Sequence, residues 1–222
     1  MVYRLRKDIV GFPDPHHANE DGLFAVGGEL TPEWLLLAYS NGIFPWFPHK
    51  KSKEIWWYCP QDRFVIFPQD IHISHSMRNL INKQCYQVTC NKAFDEVIMH
   101  CSTAQHRDKE QNAWLGEQMI VAYQQLHLLK QAISIEVWQE EKLVGGLYGV
   151  TIGKNVFGES MFSFVPSASK LALIALAQIV GKAGGIIDCQ FETPHLLSMG
   201  GKHIPYDECI AHFNTLRMRA FS

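Results

Sequence analysis

The sequence predicts a mixed α/β (α+β) protein: a small N-terminal domain over residues 1–60 and a larger domain over 61–222 built on a central, largely antiparallel sheet. Three observations carry this reading. Residues 1–60 are dense in Pro, Gly and aromatics and poor in long periodic segments. Three apolar runs, AISIEVWQ, KLVGGLYGVTI and NVFGESMFSF, follow one another through the short turns QEEK and GKN, the pattern of an antiparallel meander. Helical patterns lie on both sides of that meander, which places helices against the sheet.

Taken in order, the first clear element is a helix. Thr31 is its N-cap and Pro32 its first residue; EWLLLAYS follows, and Asn41-Gly42 ends it. GIFPWFP, the charged loop KKSKE and the apolar IWWYCP then close the small domain near residue 60. RFVIF (63–67) and YQVTC (86–90) read as strands around a helix at 74–83. A helix over 92–101, capped by Asn91, and another over 116–129 precede the meander. After it, SASKLALIALAQIVGKAGG reads as a long helix closed by glycines. IIDCQF reads as a strand, TPHLLSMG as a short helix and DECIAHFNTLRM as the final helix. This order is compatible with the acetyltransferase-like (GNAT) architecture.

A chain of 222 residues can bury most of its apolar surface without staples. Its 47% hydrophobic and 19% charged residues suit a soluble globular protein. The six cysteines form no CxxC pair, and MVYRLRKDIV is not a signal peptide. A reduced, cytoplasmic protein is expected from these features. The longest apolar stretch, LALIALAQIV at 171–180, is too short to span a bilayer, so no membrane association is expected. Net charge is −2, so a global basic field for nucleic acid is missing. The clearest local basic cluster is Lys50, Lys51 and Lys53, which charge alone reads as a solvated loop. His72 and His75 have neither HExxH nor paired cysteines beside them, and there is no P-loop or GxSxG elbow. No metal and no cofactor are therefore expected.

The carboxylates in apolar strands say more, because a buried charge needs a partner. Strand alternation puts Asp188 and Gln190 on one face of IIDCQF, with Cys189 on the other. The same alternation gives Glu159 a face shared with Met161 and Ser163. Singly, each carboxylate reads as a turn cap or the partner of a buried Lys or Arg. Two such strands within 30 residues point to a polar pocket. Trp46, Trp56, Trp57, Trp114 and Trp138 read mainly as core. Trp46, in the tight FPWF segment, also has the flat ring that stacks on a nucleobase.

DGLFAVGGELTPEWLLLAYSNGIFPWF, AWLGEQMIVAYQQLH, SIEVWQEEKLVGGLYGV, FGESMFS, SASKLAL and IIDCQ together closely resemble the leucyl/phenylalanyl-tRNA–protein transferase family, from about residue 11 to 213. The resemblance implies an enzyme with a GNAT-like C-terminal domain that moves Leu or Phe, with Met also in question, from aminoacyl-tRNA. The acceptors are proteins with N-terminal Arg or Lys, which are thereby marked for N-end rule degradation. Leu-tRNA and Phe-tRNA are the donors, and nothing in the sequence demands more than a monomer. In the family the tryptophans matching Trp46 and Trp114 cradle the donor's terminal adenosine, although Trp114 stands in NAWLG where relatives have GTWI. Glu159 matches a residue near the aminoacyl ester and its amino group, with Ser163 close by; Asp188 and Gln190 match the catalytic pair. Leu147, Leu176, Ile179, Val180 and Ile187 match the apolar amino-acid pocket.

Attack of an amine on an activated ester needs positioning more than a strong base. Gln190 suits acceptance of a hydrogen bond from the incoming amine, with Asp188 either orienting it or taking the proton. Lys50, Lys51 and Lys53 are the candidates for tRNA phosphates. A rival with the same fold, an acetyl-CoA enzyme, expects a Gly-rich loop where this chain has FVPSASK. A second rival, a non-enzymatic tRNA-binding adaptor, fits less well with Glu159, Asp188 and Gln190 all intact.

Overall fold

The computed structural model describes residues 2–46, 54–103 and 116–214. Lys50, Lys51, Lys53 and Trp114 lie outside the described residues. The N-terminal part forms a four-stranded sheet from β1 (Tyr3–Leu5), β2 (Leu23–Gly27), β3 (Phe44–Trp46) and β4 (Trp56–Tyr58), in the order β1-β2-β4-β3. Helix α1 (Pro32–Ser40) sits between β2 and β3 and starts where expected, with the Thr31 hydroxyl accepting from the Trp34 N–H at 3.4 Å. These strands escaped the sequence reading because they are three to five residues long, with partners far away in sequence. Strands that short show no usable alternation.

The larger sheet has seven strands: β5 (Asp62–Ile66), β6 (Gln87–Cys90), β7 (Ala132–Gln139), β8 (Lys142–Ile152), β9 (Asn155–Ser163), β10 (Ile187–Asp188) and β11 (Lys202–Pro205). Their order is β11-β5-β10-β9-β8-β7-β6, antiparallel throughout except for β9–β10. Helices α2 (His75–Asn82), α3 (Phe94–Thr103), α4 (Glu117–Leu128), α5 (Ala168–Ala183), α6 (Pro194–Ser198) and α7 (Tyr206–Asn214) complete the chain. The mixed α/β class, the small N-terminal part and the largely antiparallel central sheet are as expected, and β7, β8 and β9 form the meander. No helix among the described residues is long and apolar enough to cross a membrane.

Two cores lie on opposite faces of the large sheet. One joins Trp34, Leu35 and Tyr39 of α1 to residues of α3 and α4 and to Tyr148 and Phe157 of the sheet. The N-terminal part and the large sheet therefore share a single core. The other face, with Leu147 and Val156, packs on Leu173, Leu176 and Val180 of α5.

Three local readings are corrected. Asn91 does not cap α3; its side chain accepts from the Ser134 N–H, and the Glu136 carboxylate from β7 accepts from the Ala93 N–H at the helix start. IIDCQF is a strand only over Ile187–Asp188, because Gln190 takes a left-handed φ of 68°. Asp188 and Gln190 therefore do not alternate on one strand face. Finally, β9 pairs Ser160 with Tyr148 and Gly158 with Gly149, which leaves Glu159 as the extra residue of a β-bulge. The bulge reverses the alternation. Glu159 reaches the first core while Met161 packs against the second, so the two do not share a face.

Candidate functional site

β9 and β10 run parallel for two pairs only, Ile187 with Val156 and Asp188 with Phe157. Just beyond, the bulge at Glu159 and the left-handed turn at Gln190 force the strands apart. A cavity of about 690 Å³ opens in the gap, lined by Glu159 from β9 and Gln190 from the turn that follows β10. Ligand sites are commonly concave, mostly apolar and furnished with a few converging polar groups.

The polar groups converge on Glu159. The hydroxyls of Tyr39 on α1 and Tyr123 on α4 each donate to its carboxylate at 2.8 Å, one to each oxygen. The Gln190 side-chain amide donates to it at 2.9 Å, and the two tyrosine hydroxyls lie 2.8 Å from each other. Burial pushes the Glu159 carboxyl up to about 7, against the pull of these three hydrogen bonds; the charge on Asp188 adds to the rise. The phenols of Tyr39 and Tyr123 are likewise driven well up, first by burial and then by the Glu159 charge. The site thus holds a carboxylate among neutral donors, close to its own midpoint near neutral pH.

Asp188 is placed differently. It is fully buried and does not line the cavity. Its Oδ2 accepts from Arg63 Nη2 at 2.5 Å and its Oδ1 accepts from the Gln190 backbone N–H at 2.8 Å. The Cys209 thiol also points at it, at 3.6 Å. Arg63 and Asp188 have side-chain exposures of 1% and 0%, so the pair is a desolvated ion pair behind the cavity wall.

One end of the cavity is aromatic. Trp46 lines it and packs against Tyr58 and Phe191, with ring centroids 5.5 Å away in both cases. Another part of the lining is apolar, formed by Leu147, Met161, Leu173, Leu176 and Ile187 of the second core. Ser163 also lines the cavity, but its hydroxyl is committed: it donates to the Val165 carbonyl and accepts from the Ser169 N–H, fastening the start of α5.

Of the residues singled out from the sequence, Trp46, Leu147, Glu159, Ser163, Leu176, Ile187 and Gln190 meet at this cavity. Ile179 and Val180 do not line it. Val180 is buried in the second core a turn beyond Leu176, and Ile179 points outward with 41% exposure. The helical period puts 173, 176 and 180 on one face and turns 179 away from it. Tyr39, Tyr123 and Arg63 were missed, since helix α1, helix α4 and strand β5 give each in turn an ordinary core or edge setting. An arginine at the head of the apolar run RFVIF was the available signal for Arg63.

Residues 65–214 match the family model described as leucyl/phenylalanyl-tRNA protein transferase, and residues 28–61 match the model of that family's N-terminal domain. Relatives named leucyl/phenylalanyl-tRNA–protein transferase include one from Flavobacterium psychrophilum, 46% identical over 200 residues, covering 90% of this chain and 93% of the relative. Another, from Hydrogenovibrio crunogenus, is 50% identical over 195 residues, covering 86% and 75%. A third, from Shigella dysenteriae serotype 1, is 41% identical over 220 residues, covering 98% and 92%. With this identity extending across both the small sheet and the cavity-bearing one, the chain belongs to the leucyl/phenylalanyl-tRNA protein transferase family and is an enzyme that transfers aminoacyl groups from tRNA to proteins.

Proposed function

We propose that this enzyme moves leucine or phenylalanine, with methionine a further candidate, from aminoacyl-tRNA to proteins bearing an N-terminal Arg or Lys. The tagged proteins then enter N-end rule degradation in the cytoplasm. The observation that carries the reading is a single cavity with three unlike walls: the aromatic end at Trp46, the Glu159–Gln190 polar group, and the apolar wall from Leu147 to Ile187. The donor's terminal adenosine stacks on Trp46, with Trp114 as its second partner. Its aminoacyl side chain fills the apolar wall, and Glu159 faces the donor's amino group. Lys50, Lys51 and Lys53 contact tRNA phosphates, so donor affinity falls with salt.

In the reaction, the acceptor's α-amine attacks the ester carbonyl. The new C–N bond replaces the C–O bond to the ribose, and the amine's proton leaves with the tRNA hydroxyl or solvent. An α-amine with a pKa of about 8 is already partly neutral, so no strong base is needed. Holding amine and ester at near-attack geometry supplies about 7–11 kcal/mol in a well-oriented case. Because the Gln190 amide nitrogen is spent on Glu159, its carbonyl oxygen is the group that accepts from the amine. The Asp188 carboxylate, committed to Arg63 and to the Gln190 N–H, orients Gln190 instead of taking the proton. An apolar wall discriminates among apolar side chains only by about 1–3 kcal/mol per methylene, which fits a donor set of Leu, Phe and Met.

The test is direct. Radiolabelled Leu-tRNA is mixed with the protein and with peptides beginning in Arg, Lys or Ala. Label should pass to the Arg and Lys peptides and not to the Ala peptide. Equal labelling of all three, or of none, contradicts the acceptor assignment.

A further inference from the structure

Arg63 is a charged group behind the cavity wall to which the transfer chemistry assigns no part. It is fully buried at the head of β5. Its Nη2 donates to Asp188 at 2.5 Å and its Nη1 donates to the Gly42 carbonyl at 2.9 Å, while the guanidinium lies 5.3 Å from the centre of the Phe44 ring. Its Nε has no hydrogen-bond acceptor among the described residues. A buried donor left in that state works against stability, and a buried ion pair gives folding little that packed apolar side chains would not. Folding alone therefore gives a poor account of an arginine here.

We propose that Arg63 is a positioning residue of the transfer reaction, acting through Asp188 to hold Gln190 in the conformation that faces the reacting ester. The contacts form one chain. Gln190 has a φ of 68°, a left-handed conformation that a non-glycine residue keeps only when its surroundings fix it. Its backbone N–H is fixed by Asp188 Oδ1 at 2.8 Å, and its side-chain amide then reaches Glu159 at 2.9 Å. Arg63 holds the other oxygen of Asp188. The bond to Gly42, in the turn after α1, keeps the guanidinium from following the carboxylate if it moves. A planar fork serves two acceptors in fixed directions, which a lysine ammonium, a compact point charge on a flexible stem, does not reproduce. Cysteine thiols near this ion pair, Cys59 at about 12 and Cys209 higher still, are held protonated mainly by burial and do not compete for the role.

This inference rests on the reading of Gln190 as the residue facing the ester, and the experiment keeps the two apart. Arg63→Lys is purified alongside wild type, checked for folding by circular dichroism, and assayed with labelled Leu-tRNA and an N-terminal Arg peptide. The expected result is a folded protein whose kcat is lower by about tenfold or more while the donor KM barely moves. In a Gln190→Ala background the same Arg63→Lys change should cost no further kcat. A folded Arg63→Lys enzyme with wild-type kcat overturns the inference, as does an equal loss in both backgrounds. Should Arg63→Lys not fold, Arg63→Met combined with Asp188→Asn removes both buried charges and carries the same expectations and contradictions. Absence of transfer by the wild type itself would overturn the functional reading, and this inference with it.

Discussion

Glu159, half-buried, and Asp188, fully buried, both touch Gln190 and both sit where β9 and β10 separate, yet their surroundings are opposite. Asp188 lies behind the wall and is paired with a guanidinium. Glu159 lies on the cavity and is held by two phenols and an amide, with no cation among its hydrogen-bond partners. A charge matched by a charge is fixed; a charge matched only by neutral dipoles stays close to losing itself. The difference separates support from chemistry. Asp188, paired with Arg63, shapes the site, and Glu159 is the group whose charge follows solution pH near neutrality.

The largest expected effect breaks the comparison on the Asp188 side. Asp188→Ala strands Arg63 as an unpaired buried cation and should lower stability by about 3–5 kcal/mol in urea unfolding. Glu159→Ala leaves no ion behind, so an equal loss there would erase the distinction. The next effect is in pH. The Glu159 carboxyl stands at about 7 in the folded chain against an ordinary 4.5. Between those values the folded protein keeps a proton that the unfolded chain has released. The stability this contributes is fully present below about pH 4.5 and is lost as pH rises through about 7. Wild type measured against Glu159→Gln should therefore lose about 3 kcal/mol across that window and nothing more above it. A flat difference would place Glu159 among ordinary carboxylates.

Smaller effects sharpen the picture. Glu159→Gln should slow transfer by about 10–100-fold, the worth of about 1.5–3 kcal/mol for a hydrogen bond to a charged group. Its stability at pH 8 should be unchanged or higher, because burial there opposes the charge. Tyr39→Phe and Tyr123→Phe each remove one donor, worth about 0.5–1.5 kcal/mol. Each should move the Glu159 midpoint upward and reduce transfer at pH 7 severalfold, with recovery at higher pH.

Much of this was legible in the sequence. Thr31-Pro32 and Asn41-Gly42 bracket α1 because caps and turns are local chemistry. The meander was legible because its strands are long enough to alternate and its turns are short. Glu159 and Gln190 were found because polar residues in apolar runs are costly unless used. What stayed hidden depends on distance along the chain. Tyr39 is 120 residues from Glu159 and Tyr123 is 36 away, and each has a helical setting that reads as core. The left-handed Gln190 carries no glycine or proline to announce it, and Gly149 and Gly158 beside the bulge do not say which residue is the extra one. Arg63 reads as an exposed strand end until β10 and the turn at Gly42 are folded over it.

The most direct test is a carbon-13 carboxyl NMR titration of wild type and Glu159→Gln. The account predicts one glutamate resonance in wild type with its midpoint near 7, absent from the variant. A wild-type spectrum in which every glutamate titrates in the ordinary carboxylate range would contradict it.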